Sequence, residues 1–68
     1  MRKEILLQFG RKVRDERKKK GISQEELAIK ANLHRTYVGM VERGERNITL
    51  INIKKIADAL NLELRELF

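Results

Sequence analysis

An all-α fold is predicted, a compact bundle of five short helices in which residues 1–68 make a single domain. Three observations carry that prediction. The chain has no proline and is rich in Leu, Ile, Glu, Lys and Arg, residues that tolerate a helix well. Its apolar residues recur at intervals of three and four, the period of a helix face. Residues suited to starting or ending helices, Gly21, Ser23, Asn32, Gly44, Thr49 and Asn61, punctuate the chain at short intervals.

The elements follow in order. Ile5, Leu6, Phe9 and Val13 lie at helical spacing, so helix 1 is expected over about residues 3–20. Lys18, Lys19 and Lys20 fall in its last turn, where cations suit the helix dipole, and Gly21 can take the left-handed conformation after it. Ser23 is the expected N-cap of helix 2, with Glu26 three residues on completing a capping box and Ile22 and Leu27 forming a hydrophobic staple. Leu27, Ala28 and Ala31 supply its buried stripe, and Asn32 ends it. Helix 3 is expected from about Arg35 to Arg43, with His34 near its N-cap, Val38 and Val41 inward and Gly44 as its stop. Thr49 caps helix 4, whose buried face is Ile53, Ile56, Ala57 and Leu60, and Leu64, Leu67 and Phe68 suggest a fifth helical turn.

The chain carries a formal charge of +6, which points to a polyanionic partner. The excess is not spread evenly. Residues 1–20 hold nine lysines and arginines against three acids, whereas residues 21–68 hold seven of each. Any specificity beyond simple adhesion must therefore come from placement in the balanced part.

Several classes are excluded or disfavoured. No apolar run of about 18 residues is present, so no membrane span is expected. The absence of cysteine rules out disulfides and zinc-thiolate sites, and with no signal peptide it suits a cytoplasmic protein. No nucleophile–base set, glycine-rich phosphate loop or metal-ligand cluster marks an enzyme or a cofactor site. The pair Glu25-Glu26 stands in a helix's first turn, where capping explains it. A small-molecule effector would have little room in so short a chain.

Two short helices joined by about three residues form a helix-turn-helix, here over about residues 23–43. Helices that cross closely need a small residue at the contact, and Ala28 supplies one. The turn needs a residue comfortable at positive φ, and Asn32 supplies it. In these residues the chain resembles the phage-repressor or Xre type of helix-turn-helix domain, a lambda-repressor-like fold. The match is carried by ISQEELA at 22–28, Leu33, HRTYVGMVERGERNITL at 34–50 and IKKIADAL at 53–60. The run LHRTY…VERGERNITLINI most resembles the small controller proteins of restriction–modification systems, which implies a bacterial or phage origin.

The resemblance implies that the N-terminal half of helix 3 enters a DNA major groove. Arg35 is then expected to donate two hydrogen bonds to guanine, Thr36 to meet a base edge or a thymine methyl, and Met40 to offer apolar contact. Gln24, Tyr37, Arg43, Arg46, Asn47 and Asn52 are the expected backbone contacts. In the family an arginine of helix 1 pairs with a glutamate near the end of helix 3. The matching residues are Arg17 and Glu42, an expected structural ion pair.

The expected activity is sequence-specific binding of double-stranded DNA by a homodimer on a palindromic operator, as a transcriptional regulator. Leu62, Leu64, Leu67 and Phe68 are the expected dimer surface, with closure of the core as the competing use of the last three. Two other readings stand beside this one. The first is an antitoxin-type interaction module that also autoregulates. The second is the N-terminal regulatory domain of a DNA methyltransferase.

Overall fold

The computed structural model describes residues 2–68, with side chains from residue 4 onward. Four α-helices follow one another: α1 (Arg2–Lys19), α2 (Gln24–Ala31), α3 (Arg35–Glu42) and α4 (Leu50–Ala59). The last element, Leu64–Leu67, is a 3-10 turn where a fifth helix was expected. Its N–H groups reach back three residues, Glu66 to the Glu63 carbonyl at 2.9 Å and Phe68 to that of Arg65 at 3.2 Å. A four-residue piece offers too few carbonyls for an i→i+4 ladder, and the tighter spiral suits it. No strand occurs among the described residues.

The helix ends are set by local chemistry. Ser23 accepts the Glu26 N–H at 3.0 Å, and the Ser23 N–H returns a bond to the Glu26 carboxylate at 2.8 Å. Thr49 accepts the Asn52 N–H at 3.1 Å. His34 caps α3 through Nδ1, which accepts the Thr36 N–H at 3.1 Å. Each bond satisfies one of the N–H groups that a helix start leaves without a partner. At the other end, Asn32 closes α2 in the left-handed conformation, with φ 57° and ψ 47°. The Leu33 N–H then bonds the Ala28 carbonyl at 2.8 Å, so the chain turns at once towards α3.

The core gathers Phe9 and Val13 from α1, Leu27, Ala28 and Ala31 from α2, and Val38 and Val41 from α3. Ile53, Ile56, Ala57 and Leu60 close it from the α4 side, and Leu67 plugs it at 1% exposure. α3 packs against both α1 and α2, and α2 packs also against α4. Ile5 departs from the expected stripe of α1 and stands 58% exposed. It lies a full turn before Phe9, at the rim of a depression that Phe9, Leu67 and Phe68 also line.

Gly10 explains how α1 and α3 come so close. A Cβ there would run into the Val41 carbonyl oxygen and lie 2.6 Å from that of Glu42. Backbone therefore meets backbone at the C-terminal end of α3. Glycine in a helix interior costs about 1 kcal/mol relative to alanine, and this contact is what the cost secures. Gly44, at φ +72°, ends α3 and leans on Leu7, whose Cδ2 would be 2.8 Å from a Cβ.

Candidate nucleic-acid interface

α3 buries Val38, Gly39, Val41 and Glu42, and leaves Arg35 and Thr36 exposed at its first turn. Neither of these two side chains is hydrogen-bonded or ion-paired among the described residues. Thr36 is used only through its backbone N–H, by the His34 cap. Met40 follows one turn later, partly covered. The residues expected to read bases thus share one edge of a short, firmly held helix.

On the α2 side of that edge lies a polar notch lined by Gln24, Arg35, Thr36, Gly39 and Arg43. Gly39 keeps it open. A Cβ there would sit 3.2 Å from Arg43 Nη1 and 3.5 Å from Gln24 Oε1. What comes close to Gly39 is therefore a pair of polar side chains.

Beneath the notch a buried charge network fastens α3. The Arg17 guanidinium donates to both oxygens of Glu42, Nε to Oε2 at 2.7 Å and Nη2 to Oε1 at 3.0 Å. Arg17 Nη1 also donates to the Ile22 carbonyl at 2.9 Å, which ties in the turn before α2. Gln24 Nε2 adds a third bond to the carboxylate, at 3.0 Å to Oε1. The Arg17 and Glu42 side chains are only 11% and 3% exposed. Hydrogen bonding to Glu42 raises the Arg17 pKa, and its partial desolvation, which opposes this, is the weaker effect. The two-pronged fit is the geometry in which a guanidinium binds a carboxylate best.

On the α4 side the contacts are softer. Asn52 Nδ2 donates to the Tyr37 hydroxyl at 3.1 Å. The Arg46 guanidinium carbon stands 5.6 Å from the centroid of the Tyr37 ring, a cation–π distance. Arg46 Nη1 is also 3.7 Å from the Met40 sulfur. Asn47 is exposed in the loop between α3 and α4. Arg43, at the end of α3, makes an exposed pair with Glu45 at 3.1 Å.

A family profile described as helix-turn-helix matches residues 13–67, most of the chain and all of this geometry. The protein belongs to the helix-turn-helix family. This helix-turn-helix protein is 48% identical over 68 residues to control protein C.BamHI of Bacillus amyloliquefaciens, covering 98% of this chain and 84% of that one. It is 42% identical over 66 residues to control protein C.MunI of a Mycoplasma species, covering 96% of this chain and 89% of the relative. Its fold matches the crystal structure of the restriction-modification controller protein C.AhdI from Aeromonas hydrophila with a TM-score of 0.94. That pair is 54% identical, and the match covers 96% of this chain and 98% of the other.

The expected site residues of the helix-turn-helix fall into place unequally. Arg35, Thr36, Met40, Gln24 and Arg43 gather on α3 and its α2 flank, and Tyr37, Arg46 and Asn52 gather on its α4 flank. The expected dimer surface needs a correction. Leu67 is 1% exposed and belongs to the core, so it is not available to a second copy. Leu62 and Leu64 are half-buried against that core, and Phe68 is 70% exposed with its ring 5.6 Å from that of Phe9.

Two features went unread in the sequence. Leu50 and Ile51 stand 68% and 71% exposed at the start of α4. Ile51 precedes Lys55 by four residues and Asp58 by seven, so a helical wheel places it on the polar side, and that was the available signal. The second is a cleft beside the notch, lined in part by Arg14 and Lys18, whose parts come from elements far apart in the chain. Among the described residues no cluster of His, Cys, Asp or Glu could hold a metal ion, and no helix is long and apolar enough to cross a membrane.

Proposed function

We propose that this protein is a sequence-specific, duplex-DNA-binding transcriptional regulator that acts as a homodimer on a palindromic operator. The carrying observation is the contrast within α3. Its inner side is locked by the Arg17–Glu42–Gln24 network, while the side chains of Arg35 and Thr36 on its first turn have no partner among the described residues. In this reading the first turn of α3 enters the major groove. Arg35 takes guanine O6 and N7, Thr36 meets the neighbouring base pair, and Met40 packs against an apolar base edge. Gln24 uses one N–H on Glu42 and has a second for a phosphate. Arg43, Tyr37, Arg46, Asn47 and Asn52 bracket the groove on the two sugar-phosphate strands.

One copy measures 30 × 24 × 21 Å and carries a single reading helix. A two-fold pair supplies two such helices to half-sites about 34 Å apart. Ile51, Leu62, Leu64 and Phe68 are the exposed or half-exposed apolar residues from which the pair would be built. The relatives named as controllers of restriction–modification systems support the same role here. In that role the protein binds upstream of its own operon and changes from activator to repressor as a second dimer arrives.

The test is selection of bound duplexes from a random pool at about 0.15 M salt. The expected result is a palindrome with half-site centres one helical turn apart. Salt-sensitive retention with no enriched motif would reduce the +6 charge to electrostatic adhesion and overturn the reading.

A further inference from the structure

We infer that the cleft between α1 and the α2–α3 pair is a second phosphate track, in which Arg14 and Lys18 hold a DNA phosphodiester outside the base pairs that α3 reads. The inference rests on the proposed function and extends its footprint onto α1.

The cleft is lined by Arg14, Arg17, Lys18, Gln24, Glu42 and Arg43. The notch under α3 is lined by Gln24, Arg35, Thr36, Gly39 and Arg43. Gln24 and Arg43 belong to both, so the two depressions join into one path leading from the reading helix to α1. The floor of the cleft does not repel an anion. Both oxygens of Glu42 are engaged, by Arg17 at 2.7 and 3.0 Å and by Gln24 at 3.0 Å, and the arginine cancels the carboxylate charge. Over this neutral floor the walls carry Arg14 and Lys18, with Arg43, paired to Glu45 at 3.1 Å, at the edge shared with the notch.

Arg14 and Lys18 stand four residues apart, so they share one face of α1. Both are exposed, and neither side chain has a hydrogen bond or ion pair among the described residues. Other lysines of the same helix are used differently. Lys12 and Lys19 are drawn to Glu16, at 3.4 and 3.3 Å. Arg14 and Lys18 thus differ from the lysines paired along the helix, and they stand at the cleft mouth. An arginine and a lysine above a neutral polar floor, continuous with a base-reading edge, suit the diester backbone of the same DNA.

The experiment measures affinity for the selected duplex and for a scrambled duplex across a salt series. It compares the wild type with an Arg14→Ala/Lys18→Ala double variant, and with Arg65→Ala on the C-terminal turn. Each lost phosphate contact lowers the slope of log K against log salt by about 1, so the double variant should be shallower by about 2. Its affinity should fall by the same factor on both duplexes, and Arg65→Ala should keep the wild-type slope. An unchanged slope in the double variant, beside steep wild-type binding, overturns the inference alone and leaves the cleft to an acidic protein partner or to solvent. A loss confined to the selected duplex also overturns it, because the two residues would then act through α3. A drop in slope for Arg65→Ala of about half that of the double variant overturns it too, since loss of net charge per cation would be the cause. A wild type that enriches no motif removes the functional reading, and the inference with it.

Discussion

The two flanks of α3 are held by different means. Towards α1 and α2 the helix is gripped by a buried carboxylate with three donors at 2.7–3.0 Å. Towards α4 it rests on one side-chain hydrogen bond at 3.1 Å, a guanidinium lying over a ring and a weak contact to sulfur. The first kind of contact is directional and, once desolvated, costly to break. The second is tolerant of small displacements and remains in reach of water. The difference separates a flank that sets the position of the helix from one whose side chains can be redirected onto a ligand.

The most damaging way to break that comparison is at the rigid flank. Arg17→Met should cost about 3–5 kcal/mol of stability, because it leaves the Glu42 carboxylate buried without its cation. Urea denaturation measures this, and a variant that unfolds at the wild-type midpoint would show that the network does not hold α3. Next comes the reading edge itself. Arg35→Ala should weaken cognate binding by about 1–3 kcal/mol and relax discrimination at one base pair, with no change in melting temperature. A loss of equal size on every sequence would make Arg35 a phosphate contact instead.

The soft flank should yield less. Tyr37→Phe removes the acceptor of the Asn52 amide, and both residues are only partly covered. About 0.5–1.5 kcal/mol of stability is expected to go, the net worth of one ordinary hydrogen bond. A loss as large as that of Arg17→Met would erase the distinction between the flanks.

The smallest effect belongs to Glu16, which neighbours Arg17 in sequence but not in environment. Partial burial pushes its carboxyl up, but hydrogen bonds and charge from Lys19 and Lys12 outweigh this and hold it below the usual range. A carboxyl depressed in the folded state adds stability above its unfolded pKa, and loses it as pH falls through the folded value. Glu16→Gln should therefore separate from the wild type slightly at pH 7 and converge with it in acid. Thermal melts at the two pH values check this, and a gap that widens in acid contradicts it.

Much of this was legible in the chain because it is local. The Ser23–Glu26 box, the Thr49 cap, the left-handed Asn32 and the stop at Gly44 each depend on residues a few positions apart. The helical period likewise places Val38, Val41, Ile53, Ile56 and Leu60 inside. What escaped depends on distant chain segments meeting. Leu67 and Phe68 are adjacent, apolar and alike in sequence, yet one is 1% and the other 70% exposed. Only the direction of the 3-10 turn decides between them. The tolerance of α1 for Gly10 has meaning only once Val41 lies opposite. For the candidate site, the residue types were readable from the family resemblance, but their division between a locked and a yielding flank was not.

The seam at Gly10 bears on how such a protein could acquire a new target. Where two main chains touch directly, any side chain added at position 10 would push one helix off the other. The aim of α3 relative to α1 thus depends on this position staying glycine. The exposed residues at positions 35 and 36 lie away from that seam, so exchanging them leaves the frame that presents them in place.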